Sequence, residues 1–192
     1  MRPSHRILTT LRGCVVGICI TLAAFAEDAS APAAVQGQIL VRLMLYERRF
    51  VKRAPNEVVV LLLQKAGNSD SINAVGQMQK VLRDIGVING MPIRSEVLTF
   101  GTAADLAALC QAEGASVVYV TPGFHGDAGA IAKALVGSEV VTFSAVEDYV
   151  ADGITVGINV VAGRPKMSIN LTQARLQGLD FASSVLNLAR IY

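Results

Sequence analysis

The sequence predicts an α/β fold: a three-layer sandwich on a mostly parallel sheet, with a C-terminal antiparallel hairpin strand and a closing helix. Three observations predict it. Short apolar runs alternate with segments of helical periodicity along most of the chain. Strands separated by helices require right-handed crossovers, which make neighbouring strands parallel. The composition is 52% hydrophobic but only 5% aromatic, without Trp, which suits an aliphatic core of Ala, Val, Leu and Ile. The layout is of Rossmann or flavodoxin type.

Each element has a local reason. Over residues 38–53, Ile39, Leu40, Leu43, Met44, Leu45, Phe50 and Val51 recur at helical spacing, with Arg42, Glu47, Arg48, Arg49, Lys52 and Arg53 on the other face. That predicts a first helix, stopped by Ala54-Pro55. Its basic face is a solvated surface or a contact for acidic lipid or a partner. Residues 58–63 are uninterruptedly apolar, as in a strand covered on both faces. Gly67 to Asp70 is a turn, with Ser69 or Asp70 capping a helix through residue 85. Gly86 and Gly90-Met91-Pro92 break the chain before a strand at 93–100. Thr102 caps a helix over 103–113, and 116–120 is a third strand. A Gly- and Ala-rich helix follows at 127–135, then a strand at 139–143. Ser144 caps a short helix over 145–151, and a strand covers 154–161. Gly163-Arg164-Pro165 reads as a tight turn into an antiparallel edge strand, 166–171. Residues 172–190 read as the closing helix, with a break at Gly178. Its apolar stripe packs on the sheet or leaves a share for a dimer or partner surface.

The beginning of the chain reads as an export signal. Arg2, Arg6 and Arg12 precede an apolar run from Cys14 to Phe25, and Ala24-Phe25-Ala26 is a small-x-small cleavage site. Cleavage is expected after Ala26, leaving a flexible small-residue leader at 27–37 and a domain at 38–192 in the periplasm. The run is too short for a membrane span, which needs about 20 apolar residues. Removing three of the 17 basic residues and none of the 15 acids leaves 14 against 15, a net charge of −1. A nucleic-acid partner then has no electrostatic motive. Only Cys110 survives processing, either buried or paired between chains, so an internal disulfide is excluded.

Reactive side chains are sparse. In a doubly wound sheet ligands bind beyond the carboxyl ends of the strands. There the cluster Thr121-Pro122-Gly123-Phe124-His125-Gly126-Asp127 is the main candidate for a ligand or partner contact. His125 and Asp127 read first as part of a helix-capping turn with an exposed His, and otherwise as an acid–base or metal pair; two ligands are too few for zinc. Ser144 would complete a Ser-His-Asp set, yet no Gly-x-Ser-x-Gly elbow is present. Gly123, Gly126 and Gly129 hold an anion on backbone N–H groups or simply admit the helix. Neither a dinucleotide fingerprint nor a P-loop occurs. No cofactor or metal is expected. Asn170 caps the helix that follows it or bonds across to a neighbouring loop.

The C-terminal pattern resembles the YfiR/HmsC-like family of exported bacterial proteins. The likeness rests on Gly163, Met167-Ser168-Ile169-Asn170-Leu171, Ala174, Gly178-Leu179, Ser183-Ser184, Leu186 and Leu188-Ala189. It extends more loosely through 110–120, 140–146 and Gly153 to the first helix. The family's Trp-Pro helix end is replaced here by Phe50-Val51-Lys52-Arg53-Ala54-Pro55, and its paired cysteines are absent. The resemblance implies a periplasmic, dimeric, non-enzymatic regulator that binds the periplasmic domain of an inner-membrane diguanylate cyclase and so governs cyclic di-GMP and biofilm behaviour. Relatives joined to histidine kinases widen the expected partner class. The alternative is a periplasmic small-ligand binding protein using the loops at the strand ends.

Overall fold

Six consecutive apolar residues dictate the centre of the molecule. They form β1 (Val58–Gln64), in which Val58 to Leu63 are all buried. Each such side chain contributes about 1.5–3 kcal/mol when taken fully from water. The protein is described by a computed structural model covering residues 31–54 and 56–192. The expected signal segment and its cleavage point lie outside these residues.

Helices α1 (Ala33–Leu45) and α2 (Phe50–Arg53) precede β1. After it come α3 (Ser69–Ile85), β2 (Val87–Ile88), β3 (Met91–Thr99), α4 (Ala103–Glu113), β4 (Val117–Val120), α5 (Ala128–Ala134), β5 (Val141–Ser144), α6 (Asp148–Ala151) and β6 (Val156–Val161). The chain continues through β7 (Arg164–Ile169), α7 (Leu171–Leu176), α8 (Ser183–Leu186) and β8 (Ala189–Ile191). Among the described residues the sheet has eight strands in the order β2-β3-β1-β4-β5-β6-β7-β8. All neighbours are parallel except β2 with β3 and β6 with β7. The predicted three-layer, mostly parallel architecture is the observed one.

Strand alternation divides the core in two. Val58, Val60 and Leu62 face α1, α3 and the segment from Leu179 to Val185. Val59, Leu61 and Leu63 face α4, α5 and Tyr149 of α6. Two close approaches need glycine. A Cβ on Gly37 of α1 would lie 2.4 Å from Val81 of α3, and one on Gly157 of β6 would lie 2.4 Å from Val150 of α6. Where the β5–β6 ladder begins, buried Thr142 and Thr155 complete it through their side chains. Thr142 N–H donates to Thr155 Oγ1 at 2.9 Å, and Thr155 N–H donates to Thr142 Oγ1 at 2.8 Å.

Several expected boundaries are corrected. The first helix starts at Ala33, inside the expected leader, and leaves helical geometry after Leu45. The cause is Glu47, whose side chain is 0% exposed. Its carboxylate accepts from Arg49 N–H at 3.2 Å and Asp180 N–H at 3.0 Å, and pairs with Arg53 Nη2 at 2.5 Å. Backbone bonds from Arg48 N–H to Asp180 O and from Ala182 N–H to Tyr46 O, each 2.9 Å, run alongside. The single closing helix over 172–190 is not formed. Gly178, at φ +82°, ends α7; residues 179–182 extend to meet 46–48, and β8 then pairs parallel with β7. β7 is antiparallel to β6 as expected, but β8, not β7, is the edge. The turn between β6 and β7 is Ala162-Gly163, with φ +50° and +72°, and Pro165 lies within the strand. Asn89-Gly90, with φ +51° and +79°, makes a second such turn into β3, so the expected break is a β2–β3 hairpin. These signs of φ are those of hairpin turns matched to strand twist.

Cys110 is buried, and desolvation pushes its thiol up to about 12 from an ordinary value of 9.0. Folded protein therefore holds this proton more tightly than unfolded protein does. The resulting stabilisation is fully present below pH 9 and is lost as pH rises towards about 12. A Cys110→Ala variant should show a shallower loss of stability across that window in urea titrations. Glu47→Leu should lower unfolding free energy by about 3–5 kcal/mol, because it strands the Arg53 guanidinium in a buried site. Adding Arg53→Met to that variant should restore much of the loss, measured by the same denaturation.

Candidate functional site

The order β3-β1-β4 sets the geometry of the strand ends. From β1 the chain moves outward through α3, on one face, to β3; it returns through α4, on the other face, to β4. The reversal makes a switch point between β1 and β4, where loops at the carboxyl ends diverge and ligands are received in folds of this kind.

Here the two loops are stitched together by their own side chains. Buried Thr121 donates from Oγ1 to Leu63 O at 2.6 Å, and the same oxygen lies 2.6 Å from Ser71 Oγ. Ser71 Oγ accepts from Lys65 N–H at 2.7 Å. Asn68 caps α3 by accepting from Ser71 N–H at 2.8 Å. Gly123, at φ +98°, passes so close that a Cβ there would lie 2.7 Å from Asn68 Nδ2. Lys65 closes the seam. Its Nζ lies 2.5 Å from Asp127 Oδ2 and sits over the Phe100 and Phe124 rings, 5.5 and 5.2 Å from their centres. An ammonium held by a carboxylate and two ring faces is a structural clasp.

The sequence candidates are therefore divided. Phe124 is fully buried, its ring edge-on to Phe100 at 5.2 Å, so it offers core packing and not a contact surface. Ser144 is also fully buried; its Oγ donates to Val120 O at 2.8 Å and accepts from Val146 N–H at 3.0 Å. It steers the chain towards α6 without being that helix's cap, which is Glu147. His125 is exposed, edge-on to the Tyr149 ring at 4.8 Å, while Asp127 is turned to Lys65. Among the described residues His125 forms no hydrogen bond to Asp127 or Ser144, so no Ser-His-Asp relay is assembled. Nor do three His, Cys, Asp or Glu side chains there converge on a metal position. The Tyr149 hydroxyl accepts from Phe124 N–H at 2.8 Å. Burial raises its pKa, offset in part by backbone bonds from Phe124 and Gly123.

Lys65 and Tyr149 are the positions organising these loops that sequence reasoning passed over. A signal existed for Lys65: it is the first charged residue after the apolar run of β1, placed at the strand's carboxyl end.

The C-terminal signature residues have structural tasks. Asn170 accepts from Gln173 N–H at 2.9 Å, capping α7, and donates from Nδ2 to Val150 O at 2.8 Å. The capping reading holds, and the cross-bond reaches helix α6 instead of a loop. Leu171 N–H donates to Tyr192 O at 3.2 Å, tying β8 to the start of α7. Gly163 supplies the second left-handed residue of the β6–β7 turn. A Cβ on Gly178 would approach Glu139 Cγ to 3.2 Å.

Two concavities lie on the layer that carries α1. Beside the switch point, a cleft of about 360 Å³ is walled by Gln36, Asp70, Asn73, Gln77, Tyr119 and Pro122. Tyr119 Oη donates to Gln36 Oε1 at 2.7 Å across its floor, and burial pushes the tyrosine pKa upward. On the same layer, a mainly apolar groove of about 290 Å³ runs between α1, β7 and α8, lined by Ile39, Arg42, Leu43, Tyr46, Met167 and Leu188. Tyr46 and Leu188 are 47% and 78% exposed at its rim. Among the described residues no helix is long and apolar enough to cross a membrane.

Comparison with known proteins follows this geometry. A crystal structure of the ABC domain in complex with L-Trp from Streptococcus pneumonia superposes with a TM-score of 0.57 at 14% identity, covering 84% of this chain and 62% of that one. A conserved domain protein from Vibrio cholerae O1 biovar El Tor gives 0.55 at 17% identity, with 84% and 60% covered. The chain thus spans about three fifths of the length of each, and the likeness is one of fold. A search of curated proteins found no match. The sequence model described as YfiR/HmsC-like matches residues 34–190, from the first turn of α1 into β8. The chain belongs to the YfiR/HmsC-like family.

Proposed function

We propose that this protein is an exported, non-enzymatic regulator that docks on the periplasmic part of an inner-membrane signalling protein, a diguanylate cyclase or a histidine kinase. By doing so it changes cyclic di-GMP or a related signal. The observation that carries the reading is the family match over residues 34–190. The positively charged, then apolar, N-terminal sequence supports export, with residues 1–26 removed and a short leader ahead of the domain. The self-filled switch point supports docking over turnover, since its polar groups are spent on each other.

Docking regulates only if it is selective. The protein must bind one state of its receptor more tightly than the other, because equal affinity leaves the receptor's equilibrium unmoved. The groove between α1, β7 and α8 is the face we assign to this contact, or to a homodimer that presents it. It sets an exposed tyrosine and an arginine, residue types that anchor protein interfaces, among aliphatic side chains.

A second reading is a small-ligand receptor of the envelope. The cleft beside Tyr119 favours it, because Asp70, Asn73 and Gln77 present polar groups along one wall. Saturating ligand would then stabilise the fold by about 2.7 kcal/mol at a hundredfold excess over Kd. A metabolite screen by thermal shift, with Asn73→Leu as the control that abolishes any response, tests this.

The regulatory reading predicts that tagged protein recovers a membrane signalling receptor from detergent extracts. Tyr46→Glu with Leu188→Glu should reduce that recovery by about tenfold or more, as expected for loss of interface anchors, with circular dichroism unchanged. Recovery of porins alone, or recovery indifferent to the groove, would count against it.

A further inference from the structure

The layer that carries α4, α5 and α6 stops short of one sheet edge. On that face Arg164 and Lys166 of β7 stand opposite Val161 and Asn159 of β6, and Arg190 of β8 stands beside Ser168. Arg164, Lys166 and Arg190 are all exposed. Among the described residues neither Arg164 nor Lys166 forms an ion pair. Arg190 reaches Glu147 only at 3.8 Å, with its own side chain 71% exposed and its guanidinium over the Tyr192 ring at 4.8 Å. Both Glu147 oxygens are already engaged, one by Ser168 Oγ at 2.7 Å and one by Asn159 Nδ2. The face is therefore cationic and poorly neutralised.

The edge beside it is open. In β8 the Tyr192 position turns inward: its N–H donates to Ile169 O at 2.9 Å and its carbonyl accepts from Leu171 N–H. Alternation along a strand then directs the backbone groups of Ile191 and Ala189 away from β7, where a further strand would pair. The opposite face of β8 is apolar, with Ala189 packed on the core and Ile191 46% exposed.

We propose that this edge receives an extended acidic segment of a protein partner, which adds to the sheet beside β8. The inference rests on the regulatory reading and names a surface for it separate from the groove. The chemistry of the guest follows from the two faces. Side chains on one face of an added strand would meet Arg190 directly; Lys166 and Arg164 stand one strand further in, displaced along β7 by two and four residues from the Ser168 beside Arg190, and add a weaker, longer-range field. Side chains on the other face would meet Ile191 and Ala189. The fitting sequence alternates carboxylates with aliphatic residues. A protein strand is favoured over an anionic lipid surface because only a strand uses the unpaired backbone groups.

The test uses the full mature chain and a fluorescein-labelled peptide of alternating glutamate and valine, with an alternating lysine and valine peptide as control, read by anisotropy. The acidic peptide should bind saturably and the basic one should not. Lys166→Glu with Arg190→Glu should weaken binding by about tenfold or more and reduce its salt dependence. Ile191→Pro removes an outward N–H without touching the β7 ladder, so it should also abolish binding while circular dichroism stays unchanged. Absence of saturable binding, or binding that survives Ile191→Pro, overturns the proposal. So does tighter capture by phosphatidylglycerol vesicles that ignores Ile191→Pro, which identifies a lipid surface. Receptor recovery from membranes that is undiminished by both variants removes this edge while leaving the regulatory reading in place.

Discussion

One buried carboxylate holds the two ends of the described chain together. Glu47 interrupts the first helix, receives backbone N–H groups from Arg49 and Asp180, and is neutralised by Arg53. The sheet alone does not impose this closure: the 179–182 segment lies in the connection between parallel β7 and β8, but α1 precedes the first strand and belongs to no crossover. The carboxylate satisfies the N–H groups of Arg49 and Asp180 where the helix breaks, and it reinforces the backbone bonds that dock residues 180–182 on 46–48. The groove between α1, β7 and α8 exists because that pairing sets their spacing.

The switch point illustrates how a fold can keep a ligand-binding layout while using it differently. Thr121, Ser71, Lys65 and Asp127 occupy the diverging loops with mutual bonds, and Phe100 and Phe124 cover the ammonium. Charge placed there is neutralised internally. What the protein leaves available lies on its flanks: an amide-lined cleft next to Tyr119, an aliphatic groove, and an unneutralised cationic strip along β7 and β8. Those features fit the docking role proposed above for this member of the YfiR/HmsC-like family.

The sequence made the central sheet legible because periodicity is a local property. The run 58–63 and the capping residue Thr102 each act within a few residues; the cap of α3 is Asn68, one or two positions ahead of the expected Ser69 or Asp70. The Asn89-Gly90 dipeptide carried a hairpin signal as well, obscured by the neighbouring proline. What escaped was non-local. The helical spacing around Glu47 looks continuous until Asp180, far along the chain, supplies a donor. The closing segment likewise has helical spacing after Gly178, and it takes extended pairing only because Tyr46 and β7 are there to receive it. At the site, Phe124 and Ser144 were attractive because their loop lies at strand ends, yet sequence contains no measure of burial. Lys65 was passed over because its partner, Asp127, is adjacent only in space.

The two-residue connection at Ala162-Gly163 leaves no slack between β6 and β7, and side chains on a strand change sides with every step. A slip of β7 by one residue against β6 would rotate Arg164 and Lys166 into the aliphatic interior and turn Met167 out of it. Longer versions of this turn are therefore compatible with the fold only where the added residues are taken up in the loop or in a bulge, leaving the parity of the strand intact.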